Sequence, residues 1–364
     1  MPCYSKKIRN INRNTLLTVL FLFSISVFAQ NSINDSIDEG DKKIDFKVMP
    51  YVSYDRNLEF MIGAIPLMMY RLNPEDKESP KSISGAVGVY TTNESYFICL
   101  FNRMYFNEDK WRLTFFGLNG NLNSQFFLDH LDATGYYDYS TIATVLSAGI
   151  QRKILNDLYL GLNYSFSDFE TDFQGDILQT SRVQFNILDL SLMHDSRNTI
   201  YYPTEGSKIK LKWLYQPEWF GNEVEANIIR LEYNKYLGFR DNKDVLALRY
   251  YGGFGLGDIA FQQQETIGGK DIRGYSEGTY RGDGLMALQG EYRYNFHPKL
   301  GMVAFAGLAT IYGSINEDFN WNMYPGIGTG FRYMAFEDVK FNIGLDVAVG
   351  KEDWGIYFRI GEAF

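Results

Sequence analysis

Cysteine is nearly absent from this chain. Of two in 364 residues, Cys3 lies in a basic-then-apolar leader and Cys99 then stands alone, so no intrachain disulfide can form. Cys99 is also too far from the leader to be a lipid-anchored N-terminus. Histidine is as scarce: His130, His194 and His297 are far apart in sequence, leaving neither a metal-ligand set nor a nucleophile–base pair. His130 between Asp129 and Asp132 lacks a histidine partner, and Ser207 follows Gly206 outside any Gly-x-Ser-x-Gly pattern. The glycine run Gly253–Gly257 has no following helix or acidic partner at nucleotide-fold spacing. No cofactor, no metal and no enzymatic activity are therefore expected. The formal charge of -9 argues against a nucleic-acid partner. Past the leader there is no apolar run of spanning length and no sustained helical period, which excludes a membrane helix bundle and disfavours a helical soluble fold.

What remains is aromatic, glycine-rich and alternating. Aromatic residues make up 16% of the chain, with 27 tyrosines and 34 glycines against only 9 prolines. Residues 1–29 read as a cleaved secretory signal. Lys6, Lys7, Arg9 and Arg13 precede the apolar stretch Leu16–Phe28, and Val27-Phe28-Ala29 is a small-residue cleavage site. Removing those four basic residues, with no acidic ones, takes the charge from -9 to -13. Residues 30–45 are polar and aperiodic, and are expected to form a short disordered periplasmic tail. So short a stretch cannot bury a core of its own.

From residue 46 to the end, strand-like runs alternate with turn signals such as Asn107-Glu108-Asp109-Lys110, Asn156-Asp157 and His297-Pro298-Lys299. Runs fall near 46–54, 58–70, 82–91, 94–106, 111–127, 141–153, 157–168, 180–194, 206–216, 224–238, 245–256, 284–296, 299–311, 324–335, 338–349 and 354–364. That is sixteen, an even number that returns both ends to one side of a membrane. Fourteen is the alternative, because the first four runs carry the weakest pattern.

Period-two alternation runs through these segments. In 284–296, Met286, Leu288, Tyr292, Tyr294 and Phe296 oppose Gln289, Glu291, Arg293 and Asn295. In 206–216, Ile209, Leu211, Trp213 and Tyr215 oppose Lys208, Lys210 and Lys212, which would stripe one wall of a lumen. A soluble sandwich alternates too, but its strands are typically about 5–6 residues. The length of these runs, the export signal and the terminal phenylalanine favour an all-β transmembrane antiparallel β-barrel over residues 46–364. Its apolar face would meet outer-membrane lipid and its polar face the lumen.

Several motifs sit on this framework. Gly268-Gly269 and Ile272-Arg273-Gly274-Tyr275 occupy a long loop between the eleventh and twelfth runs. Asp195-Ser196-Arg197-Asn198 and Pro203-Thr204-Glu205-Gly206 occupy a turn between the eighth and ninth, on the opposite side. Glu291-Tyr292-Arg293 follows on the twelfth run. In this order the chain resembles the BamA/TamA insertase superfamily, the bacterial surface antigen barrels, over roughly residues 46–364. The resemblance implies that loop six folds inward and that Arg273, with Gly274 and Tyr275, enters the lumen. There Arg273 would pair with carboxylates, for which Glu291 and Asp346 are the candidates by alternation. Asp195, Arg197, Pro203 and Gly206 would form the family's periplasmic turn.

The chain also departs from the family. At the thirteenth strand the family's Phe-x-Asp-x-Gly is replaced by Phe305-Ala306-Gly307, which leaves Glu291 as the surest partner of Arg273. The segment between the leader and the first run is too short for the POTRA domains of the better-known members. On the last run Ile356, Phe358, Ile360 and Phe364 share one face, resembling the C-terminal signal read by the barrel-assembly machinery during biogenesis. The resemblance implies a protein of the Gram-negative outer membrane, acting in outer-membrane protein assembly or translocation with a separate periplasmic or outer-membrane partner. The alternative is a passive channel or structural barrel that has lost insertase activity.

Overall fold

The computed structural model describes residues 44–364 apart from 131–132, 174–179, 224, 270 and 277. The expected signal and most of the tail lie outside the described residues. Sixteen antiparallel strands close into a barrel. They are β1 Ile44–Asp55, β2 Glu59–Tyr70, β3 Ser82–Thr91, β4 Tyr96–Phe106, β5 Trp111–His130, β6 Ala133–Leu155, β7 Leu158–Phe173 and β8 Ser181–Asp195. They continue as β9 Gly206–Gln216, β10 Ala226–Phe239, β11 Asp244–Gly257, β12 Gly284–His297, β13 Leu300–Tyr312, β14 Tyr324–Phe336, β15 Phe341–Val349 and β16 Trp354–Ile360. The count of sixteen stands, and β1 begins two residues before the expected start.

Alternation sets the two surfaces. On β12, Leu288, Tyr292, Tyr294 and Phe296 point out, whereas Gln289, Glu291 and Arg293 are buried inside. On β9, Ile209, Leu211 and Trp213 face out. The strands other than β1 and β16 pair along both sides, so their backbone groups need no water, which is the condition for crossing hydrocarbon.

The inner wall is not polar throughout, as alternation alone had suggested. On β2, Phe60 and Ile62 are exposed outside while Met61, Ile65, Leu67 and Met69 are buried inside. Ile83 and Val89 of β3 continue this apolar wall. Its cover is the end of the chain: Phe336, Phe341, Phe358 and Ile360 pack with Met49, Ile65, Leu67 and Met69 in one cluster. Phe358 and Ile360 lie on the outer side of β16, opposite Tyr357 and Arg359. The outer side of the last strand thus rests on the inner side of the first two. Lys47 reaches the same place, donating to the Ala335 carbonyl with its ammonium 4.5 Å from the Phe336 ring centre.

The closing seam is consequently thin. β15 and β16 pair without a break from Ile343–Ile360 to Val349–Trp354, but β1 and β16 pair only at Tyr54 opposite Ile356. Stacking of Tyr54 on Trp354 at 4.7 Å and a hydrogen bond from Ser53 Oγ to the Ile356 carbonyl support that one point. From Ile44 to Ser53, β1 is laddered on the β2 side alone. β16 spans only seven residues, fewer than the roughly 9–11 a tilted strand needs to cross a bilayer.

Candidate functional site: loop six and the divided seam

Residues 258–283 leave β11 and turn back into the barrel. A short ladder pairs Glu265 with Gly282 and Thr266 with Arg281, and narrows the loop to a hairpin stem. Beyond it Ile267, Ile272 and Tyr275 are fully buried against Tyr251, Leu285, Ala287, Ala309, Ile311 and Tyr324 of the inner wall. Burial of three such side chains is worth about 1.5–3 kcal/mol each, which is what draws a glycine-rich loop out of water.

Apolar docking brings the loop's charges to fixed partners. Arg273 lies 2.7 Å from Asp346 Oδ2 and 2.8 Å from Glu291 Oε2, all three side chains fully buried. Its Nε and Nη2 donate to Gln289 Oε1 at 2.9 and 2.6 Å, and its guanidinium carbon sits 3.3 Å from the Phe305 ring centre. The structure thus brings Arg273, Glu291 and Asp346 together, and Asp346 partners Arg273 alongside Glu291. Where the thirteenth strand lacks its carboxylate, the ring of Phe305 supplies a π face.

The cluster is wider than the sequence suggested. Arg332 of β14 contacts Asp346 at 2.5 Å, Arg359 of β16 reaches it at 3.2 Å, and Arg293 pairs with Glu291 at 2.9 Å. Glu362, beyond the last strand, pairs with Arg332 at 3.1 Å and lies 3.5 Å from Arg293. Four arginines and three carboxylates therefore tie loop six to β12, β14, β15, β16 and the C-terminal tail. A buried carboxylate is stable here only because several guanidinium groups face it. Two further loop carboxylates add anchors, Asp271 to Arg249 at 2.6 Å and Glu265 to Arg230 at 2.8 Å. Inward parity of Arg332 and Arg359 was the available signal for them; nothing in the sequence placed them beside Arg273.

Gly274 and Tyr275 carry the loop across to the seam. Gly274 has φ +109°, and a Cβ there would lie 2.6 Å from the Val349 backbone. Its N–H donates to Tyr357 Oη at 3.0 Å, Tyr275 Oη donates to the Pro325 carbonyl at 2.6 Å, and Ser276 N–H donates to Asp353 Oδ2 at 2.6 Å. On the other side of the seam, Arg56 N–H donates to Ser276 Oγ at 3.0 Å and its Nη1 to the Glu352 carbonyl at 2.7 Å. Loop six therefore clasps the β1–β2 turn to the β15–β16 turn at its own end of the barrel, beside the single paired position. Among the described residues, the other half of the seam has no equivalent ladder.

The turn between β8 and β9, at the end of the barrel opposite loop six, is a second built element. Asp195 accepts from Arg197 at 2.7 and 2.9 Å and from Arg112 at 3.1 Å. Asn198 closes the turn, donating to Thr204 Oγ1 at 2.7 Å and accepting from the Thr204 N–H at 3.1 Å. Pro203 is buried, and Gly206 has φ +93° with the Ser196 carbonyl only 2.1 Å from where a Cβ would stand. Tyr201 and Tyr202 point back under the barrel. Tyr201 Oη donates to the Lys81 carbonyl at 2.6 Å, and Tyr202 packs with Tyr236, Val245 and Ala247. Burial, with the Glu362 carboxylate nearby, pushes the Tyr202 phenol up to about 12.

The C-terminal residues differ from expectation. Ile356, Phe358 and Ile360 share one side of β16, but the strand ends at Ile360 and Gly361 turns at φ +80°. Phe364 then packs in the lumen against the Tyr202–Tyr236 cluster, and its carbonyl accepts from Arg293 Nη2 at 2.9 Å. A residue in the left-handed region cannot continue an extended alternation, so Phe364 leaves the face it was expected to share.

Fold and site define an outer-membrane β-barrel with an inward loop. The Omp85 superfamily domain matches residues 79–364, and the chain belongs to that superfamily. Among solved structures, BamA from Haemophilus ducreyi lacking POTRA domains 1–3 is similar with a TM-score of 0.56 and 12% identity, over 89% of this chain and 73% of that one. CdiB from Acinetobacter baumannii is similar at 0.61 and 13%, over 87% of this chain and 59% of that one. CdiB from Escherichia coli is similar at 0.61 and 9%, over 88% and 63%. At these identities the likeness is one of fold. No curated protein sequence matches the chain.

Proposed function

We propose that the protein acts in outer-membrane protein assembly or translocation through its seam, with a separate partner delivering the client. The observation that carries this reading is the single paired position between β1 and β16. From Ile44 to Ser53 one edge of β1 carries no ladder. An unladdered edge in a bilayer is costly to leave so and suited to accept an added strand. The clasp of loop six at Arg56, Ser276 and Asp353 keeps the barrel closed at the extracellular end while the periplasmic half stays free to part. Membership of the superfamily and likeness to the BamA barrel support the same reading.

Cysteines at Tyr51 and Phe358 test it, because their ring centres lie 5.5 Å apart across the unladdered part of the seam, beyond the one paired position. In vesicles containing the Tyr51→Cys/Phe358→Cys variant, a short reducible bis-maleimide is expected to stop insertion of an added unfolded barrel protein, and reduction to restore it. Equal insertion in the crosslinked and reduced forms would remove the seam from the mechanism.

A further inference from the structure

The lumen holds a site that seam opening does not use. A cavity of about 330 Å³ lies among β4 to β10, within the size range of small-ligand pockets. Seven basic side chains line it against one carboxylate, Asp189, which Lys212 occupies at 2.6 Å. Five of the seven have carboxylate partners. Among the described residues, Arg103 and Lys210 have none within 4.0 Å. Glu232, directly across the ladder from Lys210, instead pairs with Arg249 at 3.4 Å and with Lys208 at 4.0 Å. A surplus of cations therefore faces an open volume in which any anion would be held by several of them at once.

A second cavity of about 470 Å³ adjoins the first, sharing Arg103, Thr114, Arg197 and Lys208 in its wall. Its remaining wall is largely apolar, including Ile83, Phe101, Tyr201, Phe341, Ile360 and Phe364. This chamber lies against the apolar inner wall of β2 and β3, where a barrel built only to conduct ions would carry polar side chains. We infer that the two chambers together form a binding site for an anionic phospholipid, with its phosphate among Arg103, Lys208 and Lys210 and its acyl chain in the Ile83–Phe101–Phe341 chamber. Two features select this ligand over a free anion or an uncharged lipid. Unpartnered cations gain charge-assisted hydrogen bonds only from an anion, and the apolar chamber gains only from hydrocarbon. The turn bearing Arg197 and Tyr201 borders the shared wall, so the site is reached from the periplasmic end.

The test uses the full mature chain in an uncharged detergent, titrated with short-chain phosphatidylglycerol, short-chain phosphatidylcholine and inorganic phosphate, and read by native mass spectrometry. Phosphatidylglycerol is expected to bind at least about tenfold more tightly than either of the others, the equivalent of one hydrogen bond to a charged group. Arg103→Gln with Lys210→Gln should weaken it by about tenfold or more, Lys210→Arg should not, and Phe101→Ser should weaken the lipid without changing the response to phosphate. Heat-modifiable gel mobility shows whether each variant is folded; if the double variant is not, the wild-type comparison of the three probes decides alone. Equal affinity for the two lipids, phosphate binding as tight as lipid, or a folded double variant with unchanged affinity would each overturn the site.

Discussion

Arg273→Ala removes the group on which the docking of loop six converges. Breaking a buried ion pair from one side costs about 3–5 kcal/mol, because a charge is left without its partner. Here the carboxylates keep other cations: Glu291 retains Arg293 at 2.9 Å, and Asp346 retains Arg332 and Arg359 at 2.5 and 3.2 Å. The cost should therefore fall at the low end, about 3 kcal/mol. What is lost is the bidentate hold on Gln289, the stacking on Phe305 and the tether that keeps Gly274 to Ser276 over the seam. Arg273→Lys keeps the charge but cannot reach Gln289, Glu291 and Asp346 together, and should lie between wild type and alanine. Equilibrium urea unfolding in phospholipid vesicles, followed by tryptophan fluorescence, reads the difference directly. Arg182→Ala is the control, because its pair with Asp168 leaves Arg182 63% exposed, where water and salt screen the charges. If Arg273→Ala cost no more than that control, the reasoning that loop six is held by its buried arginine would be refuted.

Other consequences can be checked one residue at a time. Gly206→Ala should abolish refolding, because its Cβ would stand 2.1 Å from the Ser196 carbonyl; Gly221→Ala, also left-handed but with nothing nearer than 3.7 Å, should cost only about 1–3 kcal/mol of backbone strain. Gly274→Val should displace the loop from Val349 and expose it to added protease while the strands stay resistant. Phe364→Ala should lower the stability of purified protein by about 2 kcal/mol, as expected for a half-buried ring; unchanged stability would remove Phe364 from the lumen. With loop six and the Tyr201–Tyr202 turn inside, single-channel recordings should give small fluctuating conductance, and a steady large conductance would favour an open pore.

Much of the barrel was legible because a membrane enforces alternation. Runs 82–91 and 206–216 coincide with β3 and β9, and most others differ by one or two residues. The larger misses have physical causes. β6 starts at Ala133, eight residues early, because its Tyr136–Tyr139 stretch shows no clean period of two. β16 stops at Ile360 because Gly361 turns, and nothing in the alternation of Ile356, Phe358 and Ile360 announces that reversal. The apolar inner wall of β2 and β3 was hidden because Ile65, Leu67 and Met69 alternate with Ala64, Pro66 and Met68, so both faces read as lipid-compatible. Arg273, Glu291 and Asp346 were readable from motif and parity; Arg332, Arg359 and Glu362 were not, since their meeting depends on how three strands and a tail close together.

Hydrogen exchange along β1, in the folded protein in lipid nanodiscs, bears most directly on the divided seam. Amides of Ile44 to Ser53 that do not donate to β2 should exchange far faster than those of the β5–β6 ladder, with protection returning at Tyr54. Uniform protection across β1, equal to that of β5 and β6, would mean that the first and last strands are fully zipped.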